Sequence, residues 1–278
     1  ALAASGRWLP PVPTYLGATA GGAVATCAAG AATFKYGTIR SWVDRITVVL
    51  ASGEVLDLQR GQVHAVIGTN GAGKSTLINI LSGEIPPSDG SVELLGQDVT
   101  RWTQPKRARA GLGRSYQRNT IYPTFTVFEN CRLAAQASTQ KAWVWWQDAQ
   151  RCETSTAAAR TAATRAGLDD FIDREAGLLS HGQKRQLEIA MCLATNPKVL
   201  LLDEPLAGMG AEETDRMLEL LGELRAGHAI LLVEHDMDAV FRIADRITVM
   251  VNGSVIASDA PQNIRNNAEV QAAYLGGH

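Results

Sequence analysis

The stretch Val63-His64-Ala65-Val66-Ile67-Gly68-Thr69-Asn70-Gly71-Ala72-Gly73-Lys74-Ser75-Thr76 decides the fold. Val63 to Ile67 reads as a buried strand. Gly68 to Thr76 fits G-x-x-x-x-G-K-[ST], and Leu77, Ile78, Ile80 and Leu81 continue it as a helix. Strand, turn and helix in this order separate a phosphate-binding loop from a structural glycine turn. Backbone N–H groups at the helix start bind phosphate oxygens, and glycines remove side chains that would block the approach. Lys74 is placed to neutralise phosphate charge and the Ser75 hydroxyl to ligate Mg²⁺. The expected nucleotide-binding residues are therefore Gly68, Thr69, Asn70, Gly71, Ala72, Gly73, Lys74, Ser75 and Thr76.

Three further positions fit this chemistry. The apolar run Val199-Leu200-Leu201-Leu202 reads as an inner parallel strand ending in Asp203-Glu204. Asp203 is expected to hold Mg²⁺. Glu204 points differently by strand alternation and is the candidate for polarising the attacking water. His235 follows the strand Ala229-Ile230-Leu231-Leu232-Val233 and is expected at the same sheet edge, touching the terminal phosphate. Gln117 lies where the sheet gives way to a helical stretch, and its amide is a candidate for Mg²⁺ or water.

Leu179-Ser180-His181-Gly182-Gln183 opens a helix in which Leu187, Ala190, Met191 and Ala194 share one face. The Ser180 hydroxyl and the Gly182 N–H at that helix start make a second anion site. One triphosphate does not need two such sites in one chain, whereas two chains packed head to tail do.

Working outward, 43–58 reads as a β-hairpin around Ser52-Gly53, and Ser91-Val92-Glu93-Leu94-Leu95 as another strand. A mainly helical, Ala-rich stretch runs from Arg118 to Leu179. Helices near 211–225 and 236–244 and strands at 246–251 and 254–257 complete an α/β sheet with a helical insertion. Residues 1–42 are low-complexity, read as poorly ordered or as an atypical N-terminus, and 43–278 as one domain with a helical subdomain at about 118–195. Leu9 to Phe34 lacks charge, but its Ala, Gly, Thr and Pro content argues against a membrane span or signal.

The chain has 278 residues, 46% hydrophobic and 19% charged, with net charge −2. No basic field points to nucleic acid. Cys27, Cys131, Cys152 and Cys192 are far apart and form no CxxC pair, which argues against a zinc or disulfide framework. Trp143, Trp145 and Trp146 read as packing within the insertion. Arg101, Lys106, Arg107, Arg109 and Arg114 read as a solvated face.

Together these motifs resemble the ATP-binding-cassette (ABC) ATPases over about 55–278. Gly111-Leu112-Gly113-Arg114-Ser115-Tyr116-Gln117, Thr126-Val127-Phe128-Glu129-Asn130, Val233-Glu234-His235-Asp236-Met237 and Gly182-Gln183-Lys184-Arg185-Gln186-Leu187-Glu188-Ile189-Ala190 are similar to the branch serving branched-chain amino-acid import. The tail Ala273-Tyr274-Leu275-Gly276 looks like the same branch.

The resemblance implies a P-loop NTPase nucleotide-binding domain that binds and hydrolyses ATP with Mg²⁺ held by Ser75, Gln117 and Asp203. Glu204 and His235 would be catalytic. Ser180, His181, Gly182 and Gln183 would contact the ATP of a second ABC subunit, in a homo- or heterodimer. It further implies membrane permease subunits, an indirectly linked periplasmic solute-binding protein, no nucleic acid, and a peripheral position at the cytoplasmic face of the cell membrane. Urea or amide import and a non-transport soluble ATPase are the alternatives. The gap between Gln117 and Ser180 is too short for the long coiled coil of nucleic-acid-linked relatives.

Three departures stand out. His181 and Gly210 occupy positions where many relatives carry Gly and Asp or Asn. Upstream of Val55 the pattern fades, leaving Phe34 or Tyr36 for adenine stacking. Residues 1–54 are expected to be an atypical extension or out-of-frame translation.

Overall fold

The structure, a computed structural model, describes residues 45–49, 55–116, 120–139 and 152–275. The strands are β1 (Arg45–Val49), β2 (Val55–Gln59), β3 (Val63–Gly68), β4 (Ser91–Leu94), β5 (Gln97–Asp98), β6 (Leu112–Arg114), β7 (Val199–Asp203), β8 (Ala229–Val233), β9 (Arg246–Val251) and β10 (Ser254–Asp259). The helices are α1 (Lys74–Ser82), α2 (Gln104–Arg109), α3 (Val127–Thr139), α4 (Glu153–Arg165), α5 (His181–Ala194), α6 (Ala211–Leu224), α7 (Met237–Ile243), α8 (Pro261–Arg265) and α9 (Ala268–Leu275).

The expected hairpin forms, with Val49 opposite Val55, and joins a four-stranded antiparallel sheet ordered β2-β1-β4-β5. The second sheet has six strands in the order β10-β9-β3-β8-β7-β6. It is parallel except for β10, which returns antiparallel to β9. The core is therefore mixed α/β, and β7 is an inner strand as its unbroken apolar run requires.

Strand alternation divides the core into layers. Leu200, Leu202, Ile230 and Leu232 face a cluster with α3 to α7, while Leu201, Leu231 and Val233 face α1 and the small sheet. Ala65, Ile67, Ile247 and Val249 pack with Val240 and Ile264 in a third cluster. On α5, Leu187, Ala190 and Ala194 are buried as the periodicity predicts, and Met191 is half-buried against the same cluster.

The basic group is not one solvated face. Arg101, Lys106 and Arg109 are exposed, but Arg107 is 1% exposed and donates to Ile80 O (2.7 Å), Leu81 O (2.7 Å), Thr100 O (2.9 Å) and Trp102 O (3.1 Å). Two of these acceptors are last-turn carbonyls of α1, which lack partners within the helix and carry its negative dipole end. Arg114 reaches Ser82 Oγ, Glu84 Oε2 and Asn79 Oδ1, each at 2.6 Å, and ties β6 to the end of α1. Both arginines brace the helix that carries the Gly-rich loop. Among the described residues no helix is long and apolar enough to cross a membrane. The Leu9 to Phe34 segment, Phe34, Tyr36 and the Trp143 to Trp146 cluster lie outside the described residues.

Candidate functional site

Strands β3, β8 and β7 are neighbours, so their C-terminal ends bring the Gly-rich loop, His235 and the Asp203-Glu204 pair to one sheet edge. Gly68 ends β3, Thr69 to Gly73 form the turn, and Lys74, Ser75 and Thr76 begin α1. Gly73 caps the helix at φ 97°, a left-handed conformation that costs other residues strain. A Cβ on Gly68 would lie 2.4 Å from Met250 O, because the β9–β10 hairpin presses on the loop. Gly253 N, in that hairpin, donates to Ala72 O at 3.0 Å. Lys74 is buried, its Nζ donating to Gly68 O (2.7 Å) and Thr69 O (3.1 Å), which holds the ammonium across the turn. The Ser75 and Thr76 residues are exposed at the helix start.

Asp203 is buried at the end of β7; among the described residues no side chain donates to its carboxylate, and its own backbone N–H donates to Ser115 Oγ at 3.3 Å. Burial pushes its carboxyl above the usual range and the Glu204 charge pushes it further, against the pull of Arg114, Lys74 and Arg185. Glu204 follows at φ 50°, so it departs from strand alternation rather than continuing it, with its N–H bound to Val233 O at 2.9 Å. That turn brings Glu204 Oε1 to 3.8 Å from His235 Nδ1. Glu204 is mostly covered and His235 mostly open, with side-chain exposures of 22% and 60%.

Glu234 completes this corner. The sequence quotes it in Val233-Glu234-His235 without assigning it work, yet it is a buried carboxylate, 1% exposed. Its Oε1 accepts from Leu206 N at 2.8 Å and its Oε2 from His235 N at 3.2 Å. Burial raises its pKa, and the two N–H groups oppose that. One side chain thus ties the segment after Glu204 to the segment carrying His235.

Ser180 is the N-cap of α5 and makes a full capping box with Gln183: Gln183 N donates to Ser180 Oγ (3.2 Å) and Ser180 N to Gln183 Oε1 (2.9 Å). His181 Nε2 donates to Ala207 O at 2.9 Å. Glu213, in the first turn of α6, accepts from Ser180 Oγ at 3.1 Å and Gly182 N at 3.3 Å. Among the described residues no hydrogen bond or ion pair joins the turn 180–183 to the loop 68–76.

Gln117 lies outside the described residues, but both flanks of its segment are held by α5. Arg185 donates to Tyr116 O (3.2 Å) and pairs with Glu188 (2.8 Å), and Thr120 N donates to Glu188 Oε1 (3.2 Å). The sequence alone does not mark this buried pair, because opposite charges three apart on a helix are equally common on faces open to water. Beside it a groove of about 360 Å³ is lined by Gln104, Arg114, Tyr116, Thr120, Glu188 and Cys192.

The chain matches known sequence families in three places: the ABC transporter family over residues 53–207, the branched-chain amino acid ATP-binding cassette transporter family over 254–278, and a FAD binding domain over 1–59. The last covers the segment in which the cassette pattern fades, and overlaps the described residues only at β1 and β2. The chain is 36% identical over 236 residues to the high-affinity branched-chain amino acid transport ATP-binding protein BraF of Pseudomonas aeruginosa, spanning 82% of this chain and 92% of that protein. To the corresponding protein LivG of Escherichia coli it is 39% identical over 231 residues, spanning 80% and 89%. Among solved structures, a nucleotide-free ATP-binding cassette from an ABC transporter superposes with TM-score 0.73 at 27% identity, covering 83% of this chain and 98% of that one. A structure of the ATP-binding cassette MJ1267 in its ADP conformation gives 0.70 at 29% identity, covering 84% and 98%.

Proposed function

The chain belongs to the ABC transporter ATPases, and on that premise we propose that it hydrolyses ATP to drive import of branched-chain amino acids across the cytoplasmic membrane. The observation that carries the chemistry is the convergence of loop 68–76, Asp203, Glu204 and His235 at the ends of three adjacent parallel strands. Loop N–H groups and Lys74 bind and orient the phosphates. Glu204, held away from strand geometry by its left-handed turn, orients the attacking water and takes its proton. His235 contacts the terminal phosphate, and Glu234 keeps it beside Glu204.

The donor set suits Mg²⁺. Ser75 and Asp203 offer hard oxygens, and burial together with the neighbouring Glu204 charge leaves Asp203 hard to ionise, an imbalance that a divalent cation offsets. Ser75, Gln117 and Asp203 would hold it, and the ion would neutralise charge on the phosphates.

Residues 43–278 act as the cassette, with 118–195 as its helical subdomain, and 1–42 stand outside it. Ser180, His181, Gly182 and Gln183 meet the nucleotide of a second cassette. The groove beside Tyr116 and Glu188 seats a permease segment, which puts the chain peripherally on the cytoplasmic face. A solute-binding protein acts indirectly, and nucleic acid has no part. The names of the relatives support the cargo.

Glu204→Gln tests the reading in the reconstituted complex. ATP binding stays within about threefold, while hydrolysis falls by about 10² or more. Cells lacking the chain regain leucine, isoleucine and valine uptake with the wild type and not with the variant. An unchanged ATPase rate refutes the role of Glu204, and rescue of urea or amide uptake instead replaces the cargo.

A further inference from the structure

We propose that Glu213 is a built-in anion that occupies the turn Ser180 to Gln183, called here the signature turn, and competes with the neighbouring cassette's nucleotide for the same donors. The inference rests on the reading of Ser180 to Gln183 as a site for the partner's phosphate, and goes beyond it by naming what fills that site in the unpaired chain.

The geometry is specific. One carboxylate oxygen, Glu213 Oε1, takes both the Ser180 hydroxyl (3.1 Å) and the Gly182 N–H (3.3 Å). These are the two donors that the sequence offers to an incoming anion. The Gln183 N–H is already used by Ser180 Oγ. A Cβ on Gly182 would stand 2.7 Å from Glu213 Oε1, so glycine here also makes room for the internal carboxylate. The contact spans a sequence separation of 33 and joins two helix starts, α5 and α6. It is not a local by-product of capping, since the capping box of α5 is complete without it.

The first turn of α6 contains a contrasting acid. Glu212 is exposed and pairs with Arg216 at 2.6 Å, on its own helix. Both glutamates serve the α6 dipole, and Gly210 provides no side-chain cap there. Only Glu213 is turned across to α5. His181 Nε2, donating to Ala207 O, fastens the same turn to the segment between Glu204 and α6.

A phosphoryl oxygen and a carboxylate oxygen are both anionic acceptors. They cannot share one N–H and one O–H at hydrogen-bond distance, and their charges repel. The partner's nucleotide therefore has to displace Glu213. In the unpaired chain Glu213 satisfies donors that would otherwise lack a partner. In the paired state it leaves them, and α6 moves relative to α5. Because α6 continues directly from Glu204 through Gly210, filling the signature turn reports to the chain's own hydrolytic site.

The test uses the transporter assembled with its membrane subunits. KM for ATP and binding of ADP are measured for wild type, Glu213→Gln, Glu213→Ala, Glu212→Gln and Ser180→Ala. Glu213→Gln and Glu213→Ala lower KM for ATP by about fivefold, roughly 1 kcal/mol of removed competition. ADP binding, which reads the chain's own loop, is unchanged and reports intact folding. Glu212→Gln leaves KM where it was. Glu213 variants that leave KM unchanged or raise it overturn the proposal while Ser180→Ala still raises KM. An equal fall in KM with Glu212→Gln also overturns it, because the effect would then belong to helix charge. If Ser180→Ala has no effect on KM, the underlying reading of the turn fails, whatever the Glu213 variants do.

Discussion

Replacing Arg107 by Met removes a buried guanidinium and keeps most of its aliphatic volume. Four backbone carbonyls lose their donor: Ile80, Leu81, Thr100 and Trp102. A hydrogen bond from a charged donor contributes about 1.5–3 kcal/mol, and an orphaned buried acceptor costs about 1–3 kcal/mol. Three considerations reduce the sum. Ile80 O keeps the Gly83 N–H at 3.1 Å. Water can reach part of the site, and burying the guanidinium carries its own cost, visible in its lowered pKa, for which burial is the first cause. Removing one partner of a buried charged network typically costs about 3–5 kcal/mol, and we expect about 4 kcal/mol here.

For a domain this size that corresponds to a fall in melting temperature of about 8–16 °C. Thermal unfolding followed by circular dichroism measures that shift, and urea denaturation at pH 7.5 measures the free-energy loss. Arg107→Lys keeps the charge without the planar fork, so it falls between wild type and Arg107→Met. Because the freed carbonyls end α1, whose other end carries Lys74, Arg107→Met also raises KM for ATP. A loss of stability below about 1 kcal/mol for Arg107→Met refutes the assignment of Arg107 as a structural tether.

Burial pushes the His64 imidazole down to about 4, with Arg246 acting in the same direction and the Asp57 carbonyl against it. A depressed histidine stabilises fully above its unfolded pKa of about 6.5, and the contribution is lost as pH falls from there towards 4; between pH 7.5 and 5 the loss is about 2 kcal/mol. His64→Leu removes that slope from urea-denaturation stability, and because Thr248 keeps Ser258 Oγ at 2.8 Å, a variant with the wild-type slope contradicts the reading. Gly68→Ala places a methyl 2.4 Å from Met250 O and 2.9 Å from Ala72 Cβ. Overpacking of that kind costs about 1–3 kcal/mol, and nucleotide affinity measured by fluorescence titration falls at least tenfold.

The elements that carry the site were legible because each is announced by local pattern. The strand at Val63–Gly68, the helix at Lys74–Ser82 and the strands at Val199–Asp203 and Ala229–Val233 carry uninterrupted apolar runs bounded by turn chemistry. The candidate catalytic positions follow from the same patterns, since Asp203, Glu204 and His235 lie at or just beyond strand ends. What stayed hidden were the side chains that hold those positions. Arg107 shares a run with Arg101, Lys106 and Arg109, and nothing in the run marks which cation turns inward. Glu234 and Glu213 are ordinary acids beside better-known motifs.

The sequence by itself therefore determined the main strands and helices, the phosphate-binding loop and the membership of an ABC cassette, because those depend on residues close in the chain, whereas the short elements at Gln97–Asp98, Gln104–Arg109 and Leu112–Arg114 emerged only in the structure. Only the tertiary structure decided that Arg107 caps α1, that Glu234 joins Leu206 to His235, and that Glu213 fills the turn at Ser180. The contacts of Arg107 with Ile80, Glu234 with Leu206 and Ser180 with Glu213 each link residues more than twenty positions apart. Burial then turns a solvated charge into one that must find partners, and which partners it finds is settled by how the layers pack.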